Sequence, residues 1–270
     1  MPMAWQRWPP VRSSLPTVPK PSSSSPTAGT TMLAGVRLGW RATDVADAVP
    51  VVALHGMCST SKTWDKLAAR LAEHGRRTIA LDLRGHGRSS RPGTYSCSSM
   101  RDDVIAFLDE AGLQQVDLLG HSLGGHVAML VAQQAPRRVR RLVLEDVPPP
   151  PVSTKDSTIG SRRQRAVLAV QSVLLLSRLR RFDVRMTKPV LTELLVTPDP
   201  IWWSTLASVE ATTLLLYGGE GSHVSAVRQR RVADLLPRAT TQTVPEAGHR
   251  IHSKYLDRFC DNVLPMLTAE

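Results

Sequence analysis

Gly120-His121-Ser122-Leu123-Gly124 sets a serine between two glycines at the G-x-S-x-G spacing. A strand-like segment, Val116 to Leu119, precedes it, and a helical pattern follows it as far as Ala135, where Pro136 closes the run. In that setting the spacing describes a tight strand-to-helix turn with the serine at its tip. Side chains at the flanking positions would collide with the neighbouring strand and helix, which is why glycine is needed there. The turn lifts the hydroxyl clear of the sheet, and the helix N-terminus behind it favours developing negative charge. The chemistry expected of Ser122 is nucleophilic attack on an acyl carbon. No cluster of His and Cys stands at metal-ligand spacing, so neither a metal nor an organic cofactor is expected.

The elements that must hold this turn are read from apolar periodicity. The apolar run at 51–54 predicts a buried strand, and the segments 78–83, 116–119, 142–144, 213–217 and 240–244 read as strands as well. Between them, stripes at helical spacing over 64–74, 100–111, 226–236 and 255–267 predict helices, the first two stopped by Gly75 and Gly112. Alternation of strand and helix predicts an α/β fold with a mostly parallel, doubly wound sheet covered on both faces. The prolines at 148–151 break the rhythm, and 150–210 reads as a helical insertion without a strand. The expected organisation is a core over 32–149 and 211–270 with a helical cap over 150–210. Residues 1–31, rich in Pro and Ser, are expected to be a disordered tail. An over-long start, with Met32 as the true beginning, is the alternative. The tail is basic and lacks acidic residues, yet its prolines leave no apolar run for a secretory signal.

With 270 residues, 42 % of them apolar and 21 % charged, the chain can bury one sizeable core. The net charge of +11 raises the question of a nucleic-acid or anionic partner. With only six Trp, three Tyr and three Phe, the chain has no aromatic platform interleaved with its arginines. The charge therefore reads as mainly solvated surface, and no nucleic-acid partner is expected. Cys58, Cys97 and Cys260 are odd in number and lack any C-x-x-C spacing, which fits a reducing, cytoplasmic setting better than a disulfide framework. The longest apolar run falls short of the roughly 20 residues of a membrane helix.

Four signatures in order now resemble the α/β-hydrolase fold family: Leu54-His55-Gly56 with Ser59 and Trp64 downstream, Asp82-Leu83-Arg84-Gly85-His86-Gly87-Arg88-Ser89, Gly120-His121-Ser122-Leu123-Gly124-Gly125, and Ala247-Gly248-His249. The resemblance covers roughly 50–147 and 211–267. It implies an oxyanion hole from the backbone N–H groups of Leu123 and Met57, where losing one donor typically costs about 10²–10³ in rate. It also implies His249 as the base, in the chain order Ser, acid, His. His252, three residues on, is the rival base and otherwise a structural loop histidine.

The acid departs from the common pattern. Many family members carry an Asp three residues beyond the glycine that ends the second-last strand. Here that glycine is Gly218, and the position holds Gly221. Glu220 stands one residue early. The other candidate is Asp146, at the end of the strand after the nucleophile helix. An esterase-like subgroup uses that earlier strand end, and this chain is similar to it in Glu145-Asp146-Val147-Pro148 and in the turn from Gly218 through Ser222 and His223 to Val224. The resemblance implies Asp146 as the acid, supported by Ser222, with Glu220 as the alternative.

The insertion holds an apolar stretch, Ala166 to Leu179, flanked by Arg162, Arg163, Arg165, Arg178, Arg180 and Arg181. It reads as a cap helix with solvated arginines, as a face for an acyl group or membrane surface, or as a grip on a phosphate-bearing leaving group such as coenzyme A. Trp202 and Trp203 either line the pocket mouth or anchor the cap. The expected partner is a small-molecule ester or thioester, cleaved through an acyl-enzyme. Carbon–carbon or amide hydrolysis, perhydrolysis, and a non-catalytic binding role on the same fold are the rival readings.

Overall fold

In the computed structural model, residues 26–156, 181–222 and 224–269 are described. Eight strands form one sheet in the order β1-β2-β4-β3-β5-β6-β7-β8. They are β1 (Thr27–Leu33), β2 (Val36–Ala42), β3 (Val51–Leu54), β4 (Thr78–Asp82), β5 (Val116–His121), β6 (Val139–Glu145), β7 (Thr212–Tyr217) and β8 (Ala239–Thr243). From β4 to β8 every neighbouring pair is parallel, while β1 and β2 run antiparallel at one edge.

The edge hairpin corrects the sequence reading. Residues 27–31, expected in the disordered tail, belong to β1 and pair with β2. Their Thr, Gly and Ala side chains are mostly exposed or half-exposed, so no apolar run marks the strand. The hairpin turns on Ala34 and Gly35, both at positive φ, the backbone of a two-residue turn that matches strand twist.

The central strands are buried on both faces because their side chains alternate between two cores. In β3, Val52 and Leu54 join the larger core, while Val51 and Ala53 join the second. Helices α2 (Cys97–Glu110) and α3 (Leu123–Gln134) cover the larger core. The last helices are α7 (Ile251–Lys254) and α8 (Leu256–Thr268). Helix α1 (Asp65–Glu73) and α8 cover the second core, through Leu67, Leu71, Phe259 and Val263.

After β6 the chain leaves the sheet through the proline run. Among the described residues of the insertion are helices α4 (Thr187–Leu195) and α5 (Pro200–Ser204). The expected apolar helix over 166–179 and its arginines, apart from the exposed Arg181, lie outside the described residues. Several polar links fasten this part to the core, among them two at or just before the start of α2. Tyr95 Oη donates to Asp183 at 2.6 Å, and the Cys97 backbone N–H donates to Glu193 at 2.7 Å. Helix α6 (Ala226–Leu235) lies between β7 and β8. Among the described residues no helix is long and apolar enough to cross a membrane.

Candidate active site

Ser122 stands between β5 and α3 with φ 52° and ψ −115°, a left-handed, strained backbone at the tip of the turn. The closeness of that turn to β3 explains the second glycine of the motif. A Cβ on Gly124 would fall 2.3 Å from the Leu54 carbonyl oxygen and 2.5 Å from that of His55. The helix start therefore presses on the end of β3, from which Gly56 and Met57 continue. Two contacts fix that loop. His55 Nδ1 donates to Gly56 O at 2.8 Å, and Leu83 N–H donates to His55 Nε2 at 3.1 Å.

His249 arrives from the turn after β8. Its Nε2 lies 3.0 Å from Ser122 Oγ and its Nδ1 2.7 Å from Asp146 Oδ2. A carboxylate on the Nδ1 side places that proton on Nδ1 and leaves Nε2 as the acceptor facing the hydroxyl. Asp146 is fully buried and sits at φ 49°, immediately after β6. Asp is among the residues that tolerate this left-handed backbone best. Its carboxylate also accepts from Ser222 Oγ and from the Gly218 N–H at 3.2 Å. Glu220 occupies the short turn Gly219–Gly221, exposed to solvent. Of the two acidic candidates, Asp146 is the one brought to His249. His223, in the same turn region, lies outside the described residues.

His121, the variable residue before the serine, is buried. Its Nε2 donates to the backbone carbonyl of His249 at 2.6 Å. Burial pushes its pKa down to about 3, partly opposed by the charge of Glu145, so it serves as a neutral donor at ordinary pH. His126, one turn along α3, is lowered by burial to about 4.

Trp202 and Trp203 on α5 are both buried. Trp202 stacks parallel on His126 at 5.9 Å, and Gln133 donates to its backbone carbonyl at 2.7 Å. Trp203 Nε1 donates to Pro150 O at 3.1 Å, with Arg231 over its ring at 5.1 Å. These contacts tie α5 to α3 and to the proline run, which is packing of an anchoring kind.

Sequence reasoning left out a second constellation beside the first. Glu145, fully buried at the end of β6, accepts from the His252 backbone N–H at 2.9 Å and lies 2.6 Å from His252 Nδ1. His252 Nε2 lies 2.8 Å from Thr63 Oγ1. Burial raises the Glu145 pKa, but the neighbouring His252 and His121 outweigh it and hold the carboxyl below its ordinary value. A signal for this existed in the chain: adjacent carboxylates at 145 and 146 face histidines three residues apart at 249 and 252.

A family model for the α/β hydrolase fold matches residues 49–167. The mouse sn-1-specific diacylglycerol lipase ABHD11 is 31 % identical over 247 residues, covering 80 % of this chain and 80 % of its own. Esterase YbfF of Escherichia coli is 24 % identical over 228 residues, covering 77 % of this chain and 89 % of the esterase. The crystal structure of a hydrolase from Pseudomonas aeruginosa PA01 superposes with a TM-score of 0.72 at 24 % identity, over 90 % of this chain and 98 % of that one.

Proposed function

The chain belongs to the α/β-hydrolase family, whose members similar to it include a lipase and an esterase, and we propose that it hydrolyses carboxylic esters or thioesters through an acyl-enzyme formed on Ser122. The observation that carries this reading is the unbroken hydrogen-bonded line from Ser222 through Asp146 and His249 to Ser122.

In this reading His249 Nε2 takes the Ser122 proton as Oγ attacks the acyl carbon. The carbonyl oxygen becomes anionic and accepts from the backbone N–H groups of Leu123 and Met57. His249 then passes its proton to the departing alcohol or thiol, leaving the acyl group on Ser122. A water, deprotonated by the same imidazole, attacks the acyl-enzyme and releases the acid. Asp146 stays ionised throughout, holding the Nδ1 proton and stabilising the transient imidazolium. The base is aimed before substrate arrives, so the reacting groups need little reorganisation.

The test is a series of p-nitrophenyl esters of increasing acyl length, with Ser122→Ala as the blank. Turnover by the parent should fall more than about 10³-fold in the blank. Parental rates in Ser122→Ala would sink the proposal, and the chain-length profile reports the acyl pocket.

A further inference from the structure

We propose that Glu145, His252 and Thr63 form a positioning relay that sets where His249 stands relative to Ser122. The inference rests on the reading of Ser122 and His249 as the reacting pair. It starts from a problem of reach. Ser122 follows β5, whereas His249 follows β8 at the far edge, with β6 and β7 between them. The turn carrying His249 must therefore cross two strand ends, and it is fastened at each. At β7, Gly248 N–H donates to Gly218 O at 2.8 Å. At β6, Glu145 grips His252 with both oxygens, one on the backbone N–H and one on the ring. At β5, His121 donates to the His249 carbonyl.

Glu145 is the hinge pin of this arrangement. Its backbone carbonyl accepts the Ser122 N–H at 3.0 Å, while its side chain holds His252. One residue therefore touches the nucleophile's backbone and the base's turn. The other edge of the His252 ring meets Thr63, and its face lies on Trp64 with centroids 4.2 Å apart. Both ring nitrogens are engaged and the ring cannot swing without breaking a bond. The order hydroxyl, imidazole, carboxylate repeats that of Ser122, His249 and Asp146. This second set, however, lies on the side of the sheet lined by Trp64 and Phe259. A carboxylate buried there is costly unless it is paired and hydrogen-bonded, and here its partner is the turn it positions. None of the three residues touches the reacting atoms, so they act through His249.

The experiment uses the full chain with p-nitrophenyl acetate and the variants Glu145→Gln, Thr63→Val, Thr63→Ser and Ser122→Ala. Displacing a reacting group by about 1 Å costs about 10²-fold. Glu145→Gln should therefore lower kcat by about 10- to 10²-fold, with KM within about twofold. Thr63→Val should lower kcat about 3- to 10-fold at constant KM, a partial loosening on the same scale, and Thr63→Ser should restore it. In proton NMR, the parent should show separate far-downfield imidazole N–H signals for His249 and His252, and Glu145→Gln should abolish the second. If Glu145→Gln does not fold, the Thr63 pair decides alone, because it removes or keeps one hydroxyl on a half-exposed residue. Parental kcat in Thr63→Val, or equal losses in Thr63→Val and Thr63→Ser, overturns the relay. If Ser122→Ala still loses all turnover in that case, only the relay fails. Turnover that survives in Ser122→Ala overturns the underlying reading and the relay with it.

Discussion

Ser222 Oγ lies 2.6 Å from Oδ1 and 2.8 Å from Oδ2 of Asp146, so one hydroxyl straddles the carboxylate that holds His249. The same hydroxyl accepts the Val224 N–H at 2.8 Å, which fixes its position. Asp146 has no solvent to replace a lost donor. Ser222→Ala should weaken its hold on His249 by about the 1.5–3 kcal/mol of a hydrogen bond to a charged group. The expected result is kcat about 10- to 10²-fold lower with KM nearly constant. Parental kcat would remove Ser222 from the account.

Asp146 and Glu220 are separated by isosteric amides. Asp146→Asn keeps the shape but presents the wrong partner to Nδ1, and kcat should fall about 10³–10⁴-fold. Glu220 is exposed on its turn, and Glu220→Gln should leave kcat within about twofold of the parent, as surface substitutions usually do. The opposite pattern would reassign the acid.

These residues differ in how far the sequence discloses them. The turn at Ser122 is legible because two glycines and a flanking strand and helix are local, and strain at that point demands them. Asp146 is legible by a longer route, from a strand end followed by proline and a missing carboxylate at Gly221. The pairing of Glu145 with His252 joins residues on either side of the whole insertion and leaves only a spacing coincidence. The β1–β2 hairpin escapes for another reason. An edge strand that buries little needs no apolar alternation, so residues 27–31 of β1 read as tail. The central strands, buried on both faces, announce themselves as apolar runs.

Gly218 is a third point of attack. A Cβ there would lie 2.0 Å from the Gly248 carbonyl oxygen, inside the turn that carries His249. Gly218→Ala should push that turn away from β7, lowering the urea midpoint by an amount equivalent to about 1–3 kcal/mol. Turnover should fall more steeply than stability, because His249 moves with the turn. A variant with parental kcat and midpoint would show that the turn yields without cost.

Acid should destabilise the fold through its buried histidines. His121 at about 3 and His126 at about 4 stay neutral in the native protein, against an ordinary value of 6.5. Below about pH 6.5 the unfolded chain binds protons that the folded chain refuses, so stability falls as pH falls. Each such histidine contributes about 1.4 kcal/mol per pH unit between its two pKa values. His55 and His86, both fully buried and lowered, act in the same direction. The lowered Glu145 carboxylate adds its loss only in stronger acid, as pH drops through its folded value. Urea midpoints between pH 7 and pH 4.5 should fall steeply, and His126→Gln should flatten the slope by about one proton. A pH-independent midpoint over that range would contradict the burial of these rings.

The chain leaves Asp146 through Val147 straight into four consecutive prolines, with Trp203 donating to the carbonyl of the third. Proline fixes φ and has no N–H to exchange, so this stretch has few ways to bend. It works as a stiff stem between two mechanical regimes. With Asp146 at its root, the stem leaves few ways for a change further along the chain to reach the carboxylate. Replacing one of these prolines with glycine would test the stem, since it should loosen the distance between Asp146 and His249 and lower turnover without touching either residue.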